Sequence, residues 1–102
     1  MNIYKYYDKP GELRGYEQAT MVVPELAYSY AKKTGKRFPE GERAIAIEAY
    51  YAYGYAREVL EGRFPEGEAA IASDASYAYY YAMDVLKGRF PEGEAAIASD
   101  AQ

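Results

Sequence analysis

Three carboxylate pairs stand out: Glu40 with Glu42, Glu66 with Glu68, and Glu92 with Glu94. Each follows an arginine (Arg37, Arg63 or Arg89) in the string Arg-Phe-Pro-Glu-Gly-Glu. Two carboxylates two residues apart could divide acid and base duties or hold a hard cation. The chain offers neither activity much support. It has no Cys and no His, which removes thiolate chemistry, disulfides, Cys-ligated zinc and the commonest general base. The alternating Asp and Asn of a calcium loop are also missing. Recurrence in every unit suits a structural role, with the carboxylates near helix N-termini and paired with the arginines. The arginines themselves could form a phosphate-binding stripe, but interspersed with glutamates they read as inter-repeat ion pairs or ligands of helix-end carbonyls. We therefore expect no catalytic residue, no metal and no cofactor.

The strings recur every 26 residues, which marks an internal repeat. Residues 49–74 and 75–100 match at 21 of 26 positions, and Gly62–Asp74 is identical to Gly88–Asp100. An earlier copy at 24–48 is one residue shorter. Leu13 to Glu17 lines up with Phe64 to Glu68 as a worn half-copy. The reading is one domain: 1–23 as N-terminal cap and half-repeat, then units at 24–48, 49–74 and 75–102.

Each unit is punctuated for a long and a short helix. Gly35, Gly62 and Gly88 stand where a left-handed C′ residue ends the long helix. Pro39, Pro65 and Pro91 suit the first turn of the short one, roughly 65–72 in the middle unit. Asp74 is placed to cap the next long helix. Positions 50, 54, 57, 58 and 61, with counterparts 76, 80, 83, 84 and 87, hold all the differences between the last two units and fall on one arc of the helix wheel. The opposite arc, with Tyr51, Ala52, Tyr53, Tyr55, Ala56, Val59 and Leu60, is too wide for a simple surface helix and suits one flanked on both sides. The fold class expected is all-α, a short helix-pair tandem repeat solenoid with a helical N-terminal cap. Ala52, Ala56, Ala78 and Ala82 would permit close approach, as would Gly67 and Gly93, and most of the 14 tyrosines would fill between layers rather than stack nucleic-acid bases.

The stretches Tyr77 to Ala82 and Val85 to Glu94 resemble short tandem repeats found in many uncharacterised phage and phage-derived proteins. Tyr4-Lys5-Tyr6-Tyr7-Asp8-Lys9-Pro10, with Leu13 and Gly15-Tyr16, is similar to their N-terminal cap. Many such repeats place Pro after the Asp; here only Pro24 keeps it, and Ala49 and Ala75 depart. The resemblance implies a repeat fold of phage type and transfers no activity.

With 12 basic against 16 acidic residues the net charge is −4, which disfavours nucleic acid and anionic lipid as partners. Lys32, Lys33, Lys36 and Arg37 form the one basic cluster, read as a solvated helix end. No apolar stretch reaches membrane-spanning length, and the N-terminus lacks a signal-type h-region, so the expected location is the cytoplasm, that of a host cell if the chain is viral. The expected function is non-enzymatic protein interaction through the variable outer face of the long helices, at Tyr50, Arg57, Tyr80, Met83 and Lys87, with Glu58 and Asp84 at the rim. The alternative is an acidic decoy or inhibitor of a host defence factor. A bare surface at Phe90 and Ile97 in the last unit suggests a homodimer through the C-terminal repeat.

Overall fold

A computed structural model describes residues 21–100. They are all-helical, with six α-helices and no strand among the described residues. Of the expected cap and half-repeat at 1–23, residues 1–20, with the half-copy at 13–17, lie outside the described residues. Helix α1 spans Pro24–Thr34 and α2 Glu42–Ile45, the latter entered through a 3₁₀ turn at Pro39–Gly41. Helix α3 covers Ala49–Gly54 and runs on as a π-helix over Tyr55–Leu60. A 3₁₀ turn at Pro65–Gly67 leads into α4, Glu68–Ala72. Helix α5, Ala75–Tyr80, continues as a π-helix over Tyr81–Leu86, and α6 spans Pro91–Asp100.

The starts obey the sequence signals. Pro24, Pro39 and Pro65 occupy the first turn, where a missing N–H costs no helical bond. The Asp74 carboxylate accepts from the Tyr77 N–H at 3.1 Å, satisfying one orphan donor of α5. Val23 and Glu48, at the same place before α1 and α3, make no such bond.

The ends depart from the expectation. Gly35 closes α1 in the left-handed conformation, φ 70°, with its N–H on the Ala31 carbonyl at 2.9 Å. In the next two units the left-handed residue is Glu61 (φ 53°) and Lys87 (φ 55°), one place before the glycine. The Ala56 carbonyl receives the N–H of Glu61 and of Gly62, and Ala82 receives those of Lys87 and Gly88. The residue by which units two and three exceed unit one is thus absorbed as a π turn after Tyr55 and Tyr81, which displaces the left-handed position onto a side-chain-bearing residue.

The core is as thin as the composition implies. Tyr55, Tyr81, Phe64, Phe90, Ile45 and Ile71 are its largest fully buried side chains, with Ala27, Ala31, Ala52, Ala56 and Ala78 between them. Burying each Phe or Ile contributes roughly 1.5–3 kcal/mol before conformational entropy is set against it. Small residues set the helix spacing: a Cβ on Gly67 would lie 2.7 Å from the Ala52 Cβ, and one on Gly93 2.8 Å from that of Ala78. On the variable arc one position is buried: Gly54, because the Tyr28 hydroxyl packs over it, 2.7 Å from where a Cβ would be.

Candidate interaction surface

Of the repeated carboxylates, Glu42 and Glu68 are engaged inside the protein, whereas Glu40, Glu66 and Glu92 are exposed. Arg37 grips Glu42 with Nε at 2.7 Å and Nη2 at 3.1 Å, and Arg63 grips Glu68 with both at 2.9 Å. These pairs join residues five apart within one unit, so the expected inter-repeat ion pairs are corrected to intra-unit ones. The link between units is a tyrosine. The Tyr55 hydroxyl donates to Glu42 at 2.5 Å and accepts from the Phe38 N–H at 2.8 Å; Tyr81 does the same with Glu68 at 2.7 Å and the Phe64 N–H at 2.9 Å. Charge-assisted bonds of this kind are the strong class.

Protonation reflects the geometry. Hydrogen bonding from Arg63 holds Glu68 below the ordinary carboxyl range against the opposing effect of burial, and Tyr81 adds to the lowering. For Glu42 burial is the largest influence and acts upward, but the bonds from Arg37 and Tyr55 outweigh it and the net direction is down. Burial first, then the carboxylate, pushes the Tyr55 and Tyr81 hydroxyls well above their ordinary value. The result is an ionised carboxylate beside a neutral phenol, fixed in place and turned away from solvent.

A second set of bonds runs between units in the other direction. The Tyr28 hydroxyl donates to Glu58 at 2.7 Å and that of Tyr53 to Asp84 at 2.6 Å. Burial and the Asp84 bond push the Tyr53 hydroxyl up to about 12. Glu58 also meets Lys32 at 3.3 Å, whose ammonium sits 5.4 Å from the centre of the Tyr28 ring. Part of the basic cluster is thus tied into an ion pair, and Glu58 and Asp84, expected at the rim of the binding arc, serve as internal acceptors.

The remaining residues of that arc are exposed but fall into two groups. Tyr50, Tyr80 and Met83 are exposed large side chains. Tyr50 and Tyr80 belong to a run of rings that also includes tyrosines expected between the layers: Tyr50 to Tyr77 at 5.9 Å, Tyr77 to Tyr53 at 5.7 Å, Tyr53 to Tyr80 at 6.1 Å and Tyr80 to Tyr79 at 5.9 Å. The recurrence of Tyr28, Tyr53 and Tyr79 at the fifth position of each unit is the sequence signal for part of this run. Arg57 and Lys87 instead border a groove of about 350 Å³ shared with Glu61, Asp84 and Val85.

Phe90 does not form the bare surface expected of it. It is 1% exposed, its ring 5.0 Å from that of Tyr81 and packed against Gly93. Phe64 is covered in the same way by Tyr55 and Gly67. This burial comes from within the unit and needs no following one. Ile97 is half-buried, where Ile45 and Ile71 are fully buried.

Among the described residues no group of three or more His, Cys, Asp or Glu is placed to hold a metal ion, and no helix is long and apolar enough to cross a membrane. Compared with protein-family models, with curated proteins and with solved structures, the chain finds no match.

Proposed function

We propose that the chain is a tandem helix-pair solenoid of phage type, capped by its first 23 residues, that acts as a non-enzymatic protein-interaction module in the cytoplasm. The junctions between units support the solenoid: each repeats the same tyrosine bonds 26 residues on, in a molecule measuring 52 × 22 × 17 Å. The partner binds the outer face of the long helices. The observation that carries this reading is the exposure on that face of large aromatic and thioether side chains, Tyr50, Tyr80 and Met83. Tyr and Met supply large contact area, and contiguous exposed apolar surface of this kind marks an interaction site. Arg57 and Lys87, beside the groove, give the same face a charged margin.

The test is capture of a partner from a host lysate on the immobilised chain, repeated with Tyr80→Ala and Met83→Ala together. The double variant loses the partner while its melting temperature stays within a degree or two of the parent. Retention of the partner by that variant would remove the outer face as the site.

A further inference from the structure

The two internal junctions obey one rule. A unit presents a glutamate and a tyrosine, Glu42 with Tyr28 or Glu68 with Tyr53. The next long helix answers with a tyrosine and an acid three residues apart, Tyr55 with Glu58 or Tyr81 with Asp84. Three residues along a helix place both side chains on one face, so a single helix reaches both partners at once. The hydroxyl of that helix's tyrosine also takes the Phe38 or Phe64 N–H, and an alanine comes directly after the tyrosine in both cases, Ala56 and Ala82.

The last unit carries the presenting half of this rule and, among the described residues, no answering helix. Arg89 holds Glu94 in the same bidentate fork, Nε at 2.9 Å and Nη2 at 2.8 Å. The Glu94 side chain is 43% exposed, against 4% for Glu42 and 10% for Glu68. Tyr79, the counterpart of Tyr28 and Tyr53, is 49% exposed, whereas Tyr28 is buried and Tyr53 half-buried. Ile97 is less covered than Ile45 or Ile71, and no described residue is seen to accept from the Phe90 N–H as Tyr55 and Tyr81 accept from Phe38 and Phe64.

From this we infer that the face formed by Tyr79, Glu94, Ile97 and the Phe90 N–H is a preformed socket for an amphipathic helix of a partner carrying Tyr-Ala-x-Asp/Glu. The incoming tyrosine donates to Glu94 and accepts from the Phe90 N–H, its acid accepts from Tyr79, and its apolar flank covers Ile97. Pre-orientation of Glu94 by Arg89 lowers the ordering cost of binding. A second copy of the chain is the poorer occupant. In its α1, Tyr30 is followed three residues on by Lys33, a cation where Tyr79 needs an acceptor, and its Tyr55–Glu58 and Tyr81–Asp84 sets are held in its own junctions.

The test titrates the full isotope-labelled chain with a synthetic peptide of residues 74–88, side-chain stapled between positions 76 and 80 on its solvent arc to hold it helical. Saturable shifts are expected at Tyr79, Phe90, Glu94 and Ile97. Tyr81→Phe or Asp84→Asn in the peptide, or Glu94→Gln in the chain, each weakens binding roughly ten- to a hundredfold, the worth of one hydrogen bond to a charged group. Tyr81→Phe measured against Glu94→Gln is little weaker than either alone, because both remove one contact. No saturable shift at these residues, or affinity indifferent to Glu94→Gln, overturns the socket. Sedimentation equilibrium of the chain alone supplies the remaining arm: a monomer agrees with a foreign helix, and a dimer broken by Glu94→Gln overturns that choice in favour of a second copy.

Discussion

Gly62–Asp74 and Gly88–Asp100 are the same thirteen residues in the same order, yet they stand in different surroundings. In the first, Glu68 lies beneath Tyr81 and Ile71 is fully buried; in the second, Glu94 faces solvent and Ile97 is half-covered. The features that remain equal between them are also informative. The arginine fork, the buried phenylalanine and the close approach of a glycine to the long helix recur in both. Contacts made inside a unit are set by the unit's own sequence, and contacts made by its exposed flank are set by the neighbouring unit.

The largest contrast should come from the isoleucines. Ile71→Ala removes a fully buried side chain and should cost about 2–5 kcal/mol, whereas Ile97→Ala, at a partly exposed position, should cost well under half of that. Denaturant midpoints of the two variants compare them directly, and equal losses would break the contrast.

Next, Glu68→Ala should cost about 1–3 kcal/mol, since it leaves the buried Tyr81 hydroxyl without its acceptor. Glu94→Ala should leave the midpoint unchanged. The folded-state pKa of Glu68 is depressed, so its contribution is present above the unfolded carboxyl value of about 4.3 and is lost as pH falls through the folded value. Glu68→Gln should therefore flatten the acid limb of the stability profile below about pH 5, a change visible in thermal melts taken across that range.

The glycines should show no contrast at all. Gly67→Ala and Gly93→Ala each drive a Cβ to within 2.8 Å of an alanine Cβ in the same unit, and each should cost about 1–3 kcal/mol. A difference between them as large as that between the isoleucines would mean that the glycine contacts also depend on the next unit. The smallest effect belongs to the left-handed residues. Glu61→Gly and Lys87→Gly should each raise stability by up to about 1 kcal/mol, because glycine carries no Cβ penalty at φ near 55°. A loss of stability in either variant would show that its side chain makes contacts worth more than that penalty.

Much of this is legible in the sequence. Proline at helix starts, Asp74 as a cap, Gly35 as a stop, alanine and glycine at close contacts, and the two faces of the long helix all come from local stereochemistry or from a 3.6-residue period. The π turns are not legible, although the one-residue difference in unit length is visible. An extra residue can lengthen a loop, extend a helix or widen a turn, and only the positions of the Ala56 and Ala82 carbonyls show which. Gly54 falls on the wrong side of the helix wheel because its exposure depends on Tyr28, 26 residues earlier. The acids at 58 and 84 look like a variable rim because the tyrosines that claim them sit about thirty residues upstream.

The sequence by itself determined where helices start, their order and which small and aromatic residues make each unit's internal contacts, since these follow from local stereochemistry and side-chain volume. Only the tertiary structure decided which identical groups are buried and which are offered to solvent. Burial and hydrogen-bond satisfaction belong to pairs of surfaces: Glu68 has Tyr81 of the next helix above it, and Glu94 has no such neighbour among the described residues.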